Sequence, residues 1–125
     1  MQEVTTEDAP AAIGPYSQGI VDGDRVYVSG QGPLDPKSGD VVGDDASEQT
    51  TRTLENVAAV LDAADASLSD VVKTTVFLID MDDYEAVNET YGEYMSEPYP
   101  ARSAVEVADL PVDVRVEIEA VATRR

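Results

Sequence analysis

The sequence predicts an α+β domain in which two helices pack on one face of a sheet of about six strands. Two amphipathic segments and several alternating or Val-rich segments follow one another in the order β-hairpin, α, β, α, β, β. A length of 125 residues suits one domain, and a 42% hydrophobic share is enough for a packed core. Because neither repeats nor low-complexity segments interrupt the chain, we treat residues 1–125 as a single folding unit.

The chain opens with a loop and a hairpin. Residues 9–18 contain two prolines and a glycine, which is typical of an ordered loop. The segments Gly19–Val21 and Arg25–Ser29 flank Asp22-Gly23-Asp24, a strong signal for a hairpin turn. Alternation along the second strand places its two valines on one face and Tyr27 on the other.

A loop and the first helix come next. Residues 30–44 hold four glycines and two prolines and are predicted to be mostly turn and loop. Asp45 followed by Glu48 predicts a capping box at a helix N-terminus. The amphipathic stripe of this helix is Leu54, Val57, Ala58 and Leu61.

A strand and a second helix follow. Asp70–Ile79 is rich in Val and Thr and is predicted to be a strand with both faces largely covered. The second helix is predicted over Met81–Met95, with Asp80 as its N-cap and two prolines, at 98 and 100, ending it. Its stripe is Tyr84, Val87, Tyr91 and Met95, with Asn88 on the same face.

Two strands close the chain. Ser103–Val107 is predicted to be a short strand, and the turn around Pro111 leads to a final strand. In that strand Val114, Val116, Ile118 and Ala120 alternate with Arg115, Glu117, Glu119 and Val121. The sheet face without helices is either exposed to solvent or covered by another subunit. Because Tyr27 lies on that face, we expect an oligomer.

Composition excludes several classes of chemistry. The chain has no Cys and no His, which removes disulfides, thiolate and Ser-His-Asp catalysis, iron–sulfur clusters and Cys- or His-based zinc sites. No GxGxxG, GxxxxGK[ST] or GxSxG pattern is present, so nucleotide cofactors and hydrolase elbows gain no support. Catalysis here would depend on carboxylates, Arg, Lys, Tyr, hydroxyls, backbone groups or water.

The charge balance is strongly acidic. Eight Lys and Arg against 26 Asp and Glu give a net charge of −18, which repels nucleic acid and anionic membranes. One interpretation is a surface that binds cations or mimics nucleic acid. Because the acids are scattered, we favour adaptation to a salty cytoplasm. The apolar stretches are too short to span a membrane and the N-terminus lacks a signal-peptide pattern, so we expect a cytoplasmic protein.

Arg102 is the first candidate for a site residue. It follows Pro100-Ala101 and sits where a rigid loop meets a strand, in a chain with few cations. A guanidinium suits a carboxylate or phosphate ligand, because its planar fork binds two oxygens at once. The alternative interpretation is a salt bridge to one of the 26 acids.

Weaker candidates lie elsewhere. Glu117 and Glu119 belong either to a solvated strand face or to a site in which a carboxylate positions water. Asn88 is either a satisfied buried amide or a ligand contact. The remaining candidates are Tyr16 in the Pro-bounded loop, the turn Ser29-Gly30-Gln31, and Lys73 as a nucleophile.

These residues stand in segments that resemble the Rid family of enamine/imine deaminases, also called the YjgF family, and its RidA branch. The segments are APAAIGPYSQ (9–18), SGQ (29–31), DVVKTTVFL (70–78), Val87-Asn88 with Tyr91, PARSAVEV (100–107), and 110–120 ending in VEIEA. They occur in order along essentially the whole chain. The combination of PARS and VEIE at this separation is specific.

The resemblance implies a chorismate-mutase-like α+β fold assembled as a homotrimer, with a barrel-like core and ligand clefts between subunits. It also implies hydrolysis of 2-aminoacrylate, 2-iminopropanoate and 2-iminobutanoate to 2-oxo acids and ammonia, without a cofactor or metal. Pyridoxal-phosphate dehydratases would release these substrates. An imine is already electrophilic at C2, so a positioned water and one carboxylate suffice for the chemistry.

The resemblance also implies roles for individual residues. Arg102 would bind the substrate carboxylate with the backbone N–H of Ala104, and Glu117 would position or activate the attacking water. The carbonyl of Gly30 would hold the imine nitrogen. The cleft would be lined by Tyr16, Ser29 and Asn88.

The chain departs from the family pattern at three places. Many relatives have Cys at the position of Ala104, Asp65 replaces a Gly common after the first helix, and the loop before Pro100 is short. The short loop bears on substrate size. The competing functions are a non-catalytic trimer that binds small carboxylates, which would need Arg102 alone, and a ribonuclease, which the negative charge and the lack of His disfavour.

Overall fold

A computed structural model describes residues 1–124 and confirms the α+β class, with two helices on one face of a six-stranded sheet. The strands are β1 Gln2–Val4, β2 Gly19–Asp22, β3 Arg25–Gln31, β4 Val71–Leu78, β5 Ala101–Glu106 and β6 Val116–Thr123. The helices are α1 Ala46–Ala63 and α2 Tyr84–Tyr94. Short 3₁₀ turns at Leu68–Asp70 and Met81–Asp83 precede β4 and α2. No helix in this part of the chain is long and apolar enough to cross a membrane.

The sheet is mixed, with strand order β1-β2-β3-β6-β4-β5. All neighbouring strands are antiparallel except β4 and β5, which are parallel. β5 is therefore an edge strand, and half of its backbone N–H and C=O groups have no partner in the sheet. The residues of β5 and β6 are consequently separated by one strand, although they lie close in sequence.

Two apolar clusters join the helices to the sheet. One lies between the C-terminal half of α1 and the strands β1, β2, β3 and β6, around Val26, Val57 and Leu61. The other lies between α1, α2 and the strands β4 and β6, around Leu54, Val87 and Ile118. These side chains are almost completely buried, which fixes the helices over one sheet face.

The ends of α1 have clear local causes. The Asp45 carboxylate accepts from the backbone N–H of Glu48 at 2.8 Å, as predicted. The return bond of the capping box differs, because Glu48 accepts from the N–H of Asp44 rather than from that of Asp45. At the other end Asp65 takes a left-handed φ of 59°. The N–H groups of Asp65 and Ala66 donate to the carbonyls of Asp62 and Leu61, which is a Schellman motif.

Several predicted boundaries were wrong by a few residues. α2 begins at Tyr84 because residues 81–83 form a 3₁₀ turn, in which Asp80 accepts from the N–H of Asp82. β5 begins two residues earlier than predicted, which places Arg102 inside the strand, paired with Thr74. The strand β1 was not predicted.

The expectation that both faces of β4 are largely covered was also wrong for the single chain. Thr74, Val76 and Leu78 are buried under the helices, but Phe77 and the other side chains of the opposite face are only half-buried. Tyr27, on the same open face of β3, is 46% exposed. The helix-free face therefore carries exposed apolar and aromatic side chains.

Candidate active site

The Arg102 side chain is fixed by three residues of α2. Its Nη2 atom donates to the Asn88 Oδ1 at 2.7 Å and to the Tyr84 hydroxyl at 3.1 Å. The guanidinium carbon lies 4.8 Å from the ring centroid of Tyr91 and 5.6 Å from that of Tyr84, within the range of cation–π attraction. Helical spacing puts these residues on one stripe, as predicted. We call Tyr84, Asn88, Tyr91 and Arg102 the Arg102 cluster.

The salt-bridge interpretation of Arg102 is not supported. The arginines that pair with carboxylates are Arg25, Arg52 and Arg115, and within residues 1–124 no carboxylate pairs with Arg102. Its Nε and Nη1 atoms make no hydrogen bond to any other described residue. In a chain with 26 acids, this leaves a cation with free donors beside two aromatic rings.

Ala104 lies on the same side of β5 as Arg102, because it is two residues farther along the strand. Its side chain is half-buried against the core cluster under α2. The edge position of β5 leaves room for a ligand to approach the backbone. The role of the Ala104 N–H in ligand binding stays a prediction.

A second group of predicted residues lines one cavity. Tyr16, Ser29, Gly30 and Glu117 all border a cleft of about 870 Å³, which we call the Glu117 cleft. Its other lining comes from the loops after β3 and before β6, including Leu34 and Val112, and from Glu119. The structure therefore brings these four residues together and places Asn88 elsewhere, in the Arg102 cluster.

Glu117 lies against the backbone of Gly30. A Cβ built on Gly30 would overlap the Glu117 carboxylate and would stand 2.8 Å from its Cδ atom. Gly30 has no left-handed φ that would require glycine, so the need for glycine here is one of space. Partial burial, followed by the charge of Glu119, raises the pKa of the Glu117 carboxyl. A carboxylate with a raised pKa is a better proton acceptor, which suits a general base.

Hydrogen bonds to the backbone fix the loop that carries Tyr16. The buried Gln18 side chain accepts from the N–H of Thr6 and donates to three carbonyls of residues 6–10. Ser29 donates through Oγ to the carbonyl of Ser17 at 2.6 Å, so its hydroxyl is already engaged. The Tyr16 ring packs on Gly14, and its hydroxyl accepts from the N–H of Ile13.

Two buried amides of α1, which sequence reasoning missed, fix backbone in or near the wall of the Glu117 cleft. The Asn56 amide donates to the carbonyls of Gly32 and Leu34, both at 2.9 Å. Gln49 donates to the carbonyl of Gly43 and accepts from the N–H of Arg115, two residues before Glu117. The signal was present in the sequence, because the two amides stand seven residues apart on the buried side of an amphipathic helix.

The Arg102 cluster and the Glu117 cleft lie on opposite faces of the sheet. In the β4 register Arg102 pairs with Thr74 and Glu117 pairs with Phe77. Paired residues share a face, and positions three apart on a strand face opposite sides. Thr74 is buried under the helices, whereas Phe77 points to the open face. One chain alone therefore does not bring Arg102 and Glu117 together.

Lys73 belongs to neither group. It lies on the open face of β4, and its Nζ atom contacts the Thr74 carbonyl and the Ser103 hydroxyl at 3.3 and 3.4 Å. Within the described residues no group of three or more carboxylates is placed to hold a metal ion.

Comparison with known proteins agrees with the resemblance of the motifs. The sequence profile described as endoribonuclease L-PSP matches residues 6–124. A RutC family protein of Pyrococcus horikoshii is 54% identical over 123 residues, which is 98% of each chain. The 2-iminobutanoate/2-iminopropanoate deaminase of Salmonella typhimurium is 53% identical over 125 residues, covering 98% of this chain and 97% of that protein.

The fold agrees with a solved structure of the same kind. The crystal structure of Escherichia coli TdcF with bound serine superimposes with a TM-score of 0.94, at 42% identity and full coverage of both chains. Both the profile and the relatives extend over nearly the whole chain. The protein therefore belongs to the endoribonuclease L-PSP family, which is the YjgF/Rid family that its motifs resemble.

Proposed function

We propose that this protein is a cofactor-independent enamine/imine deaminase. Its substrates are small 2-imino acids and their enamine tautomers, namely 2-aminoacrylate, 2-iminopropanoate and 2-iminobutanoate. The products are 2-oxo acids and ammonia. Identity of about half the positions with a relative named as such a deaminase supports this reaction. We place it in the cytoplasm, beside the pyridoxal-phosphate dehydratases that release such imines.

The observation that carries the proposal is the free guanidinium of Arg102. A carboxylate is what all the proposed substrates share, and the free Nε–H and Nη1–H donors of the guanidinium can give it charge-assisted hydrogen bonds. Asn88 and Tyr84 occupy Nη2 and hold the fork in one orientation. Serine bound to TdcF, a relative of the same fold, is a small amino acid with the same carboxylate.

Glu117 supplies the second half of the chemistry. Water adds to C2 of the protonated imine and gives its proton to the Glu117 carboxylate, so a C–O bond forms and the C=N bond becomes single. The resulting carbinolamine takes that proton on nitrogen and the C–N bond breaks, so ammonia leaves. The hydroxyl proton passes to the Glu117 carboxylate as the C=O bond forms, and the released ammonia takes it up as ammonium. Gly30 offers its backbone carbonyl to the imine nitrogen at the place where it touches Glu117.

The Arg102 cluster and the Glu117 cleft can face each other only if they come from two different copies of the chain. We propose a homotrimer in which Arg102 of one subunit faces the Glu117 cleft of the next. The opposite-face arrangement of the two groups supports it. The exposed Tyr27 and the half-buried Phe77 on the helix-free face also support a buried interface there.

The test is a coupled assay in which a serine or threonine dehydratase releases the imine and 2-oxo acid formation is followed with and without this protein. We expect the protein to accelerate 2-oxo acid release. Arg102→Lys, which keeps the charge but loses the fork, is expected to abolish most of this acceleration while the melting temperature stays near wild type. Arg25→Lys, a change of the same kind at an exposed arginine, is the control.

Three outcomes would contradict the proposal. No acceleration by the wild-type protein would reject the reaction. Carboxylate binding with no acceleration would favour the non-catalytic binder, which needs Arg102 alone. An Arg102→Lys variant that unfolds but keeps its activity per folded molecule would make Arg102 structural.

A further inference from the structure

The Tyr84 hydroxyl has a free proton beside the Arg102 fork. Its oxygen accepts a hydrogen bond from Nη2 of Arg102 at 3.1 Å, so its own proton points away from the guanidinium. The Asn88 amide also acts on this oxygen as a donor, so no acceptor among residues 1–124 takes the hydroxyl proton. The residue is 37% exposed, which leaves the hydroxyl open to a ligand.

Tyr91, two helical turns farther along α2, is the tyrosine of this cluster whose role is purely structural. Tyr91 is 5% exposed, and its hydroxyl is paired with the Thr74 hydroxyl at 2.8 Å. It therefore offers Arg102 only its ring. Tyr84 offers both a ring at 5.6 Å and a hydroxyl with an unused donor.

We propose that the Tyr84 hydroxyl is a ligand-binding group that donates a hydrogen bond to the same carboxylate that Arg102 binds. This inference rests on the proposed function, because it takes the carboxylate of a 2-imino acid or 2-oxo acid as the ligand. A carboxylate held by Arg102 has lone pairs left over after it accepts from the guanidinium. The phenol beside the guanidinium is placed to fill one of them.

The electrostatics of the cluster agree with a donor role. Hydrogen bonds from Asn88 and then from Arg102 lower the pKa of the Tyr84 hydroxyl. A more acidic hydroxyl is a stronger donor to an anion, and hydrogen bonds to charged groups are the strong ones. The rigid helix fixes the direction of the ring, so little conformational freedom is lost on binding.

The first experiment compares pyruvate binding to the wild type, Tyr84→Phe and Tyr94→Phe by calorimetry, with melting temperature as a check on folding. Tyr94 is on the same helix, packed against the core and outside the Arg102 cluster, so Tyr94→Phe is expected to bind as the wild type does. Tyr84→Phe keeps the ring and is expected to weaken pyruvate binding by about five- to thirty-fold. In steady state its KM is expected to rise while kcat changes little, because the bond exists in ground state and transition state alike.

The second experiment separates donation to the ligand from mere support of Arg102. A 3-fluorotyrosine placed at position 84 is a stronger donor and a weaker acceptor than tyrosine. If the hydroxyl donates to the carboxylate, pyruvate binds more tightly than to the wild type. If the hydroxyl only accepts from Arg102, binding weakens, and that result would overturn the proposal.

Failure of this inference and failure of the proposed function give different results. A wild-type protein that binds no pyruvate, or binds it equally well after Arg102→Ala, would reject the carboxylate site as a whole. Wild-type binding that depends on Arg102 but is unchanged in Tyr84→Phe would reject the role of Tyr84 alone.

Discussion

The Arg102 cluster and the Glu117 cleft solve opposite electrostatic problems. In the cluster no acid within residues 1–124 pairs with the cation, which instead contacts two aromatic rings and an amide oxygen. In the cleft an acid is placed beside a second acid and partly removed from water, which raises the pKa of Glu117. The cluster favours binding an anion, and the cleft favours taking a proton.

The separation of the two regions explains why Arg102 stays free to bind an anion and why the pKa of Glu117 stays raised. If Arg102 and Glu117 were neighbours in one chain, they would form an ion pair that lowers the pKa of Glu117 and occupies the guanidinium fork. Placing them on opposite sheet faces prevents this during folding of the single chain. In the proposed trimer the two regions face each other across a substrate, whose carboxylate takes the place of Glu117 as the partner of Arg102.

The largest expected effect comes from replacing the Glu117 carboxylate of the cleft by a neutral amide. Glu117→Gln keeps the shape but cannot accept a proton, so turnover is expected to fall by about 10²–10⁴-fold. Binding of pyruvate at the Arg102 cluster is expected to persist. The coupled dehydratase assay and calorimetry measure the two effects, with Glu89→Gln on the exposed side of α2 as the control. Wild-type turnover would move the role to another group, with Glu119 the first to examine.

A smaller effect is expected when the cleft is disturbed through its backbone. Gly30→Ala places a Cβ where the Glu117 carboxylate stands, and the flexible glutamate end is expected to swing aside while the fold survives. We expect roughly ten- to a hundred-fold lower turnover at an almost unchanged melting temperature. The control is Gly32→Ala, where the nearest atom to the new Cβ is 4.0 Å away. Equal activities of the two variants would show that the contact with Gly30 does not position Glu117.

How well these features could be predicted depends on whether they are local. The Asp45 cap, the hairpin turn at Gly23 and the α2 stripe each lie within a few residues, and the structure confirms them. The strand β1 was missed because three residues carry no pattern of their own and are ordered only by pairing with β2.

In the candidate site, too, local features could be predicted from the sequence and non-local contacts could not. The cleft residues Tyr16, Ser29, Gly30 and Glu117 were predicted through family motifs, and the structure places them together. The role of Tyr84 could not be predicted, because its contact with Arg102 joins a helix to an edge strand and depends on how the two pack. Strand order, which puts the cluster and the cleft on opposite faces, depends on non-local pairing that no single segment encodes.

The raised pKa of Glu117 is expected to be visible in the pH dependence of the reaction. With Arg102 occupied by the substrate carboxylate, the raised pKa of Glu117 means that the ionised base is lost as pH falls through a higher value than for an ordinary glutamate, so kcat falls on that acidic side. Glu119→Gln removes one cause of the shift, and the acidic limb is expected to move to lower pH. A pH–rate profile with Glu89→Gln as the control measures this. An unmoved limb would show that Glu119 does not act on the base.

The smallest effect is expected outside both regions. Asp65 sits in the left-handed region at the end of α1, where glycine has no Cβ penalty and an acid opposes the helix dipole. Asp65→Gly is therefore expected to raise the free energy of unfolding by about 0.5–1 kcal/mol, in urea at fixed protein concentration, without changing turnover. Asp62→Gly, in the helix itself, relieves no left-handed φ, and since the helix propensity of Gly is only a few tenths of a kcal/mol below that of Asp, it is expected to change the free energy of unfolding by less than about 0.5 kcal/mol. A loss of stability in Asp65→Gly would contradict this reading of the helix end.

The central claim, that each site takes Arg102 from one chain and Glu117 from another, is tested by mixing two inactive variants. Arg102→Ala and Glu117→Gln subunits are unfolded together, refolded in equal amounts and assayed beside each variant refolded alone. If sites are shared between chains, random assembly makes about a quarter of the sites wild type at both positions, and about a quarter of the wild-type activity returns. If mixed assemblies form but the activity stays at the mean of the two variants, the site lies within one chain and the account is wrong.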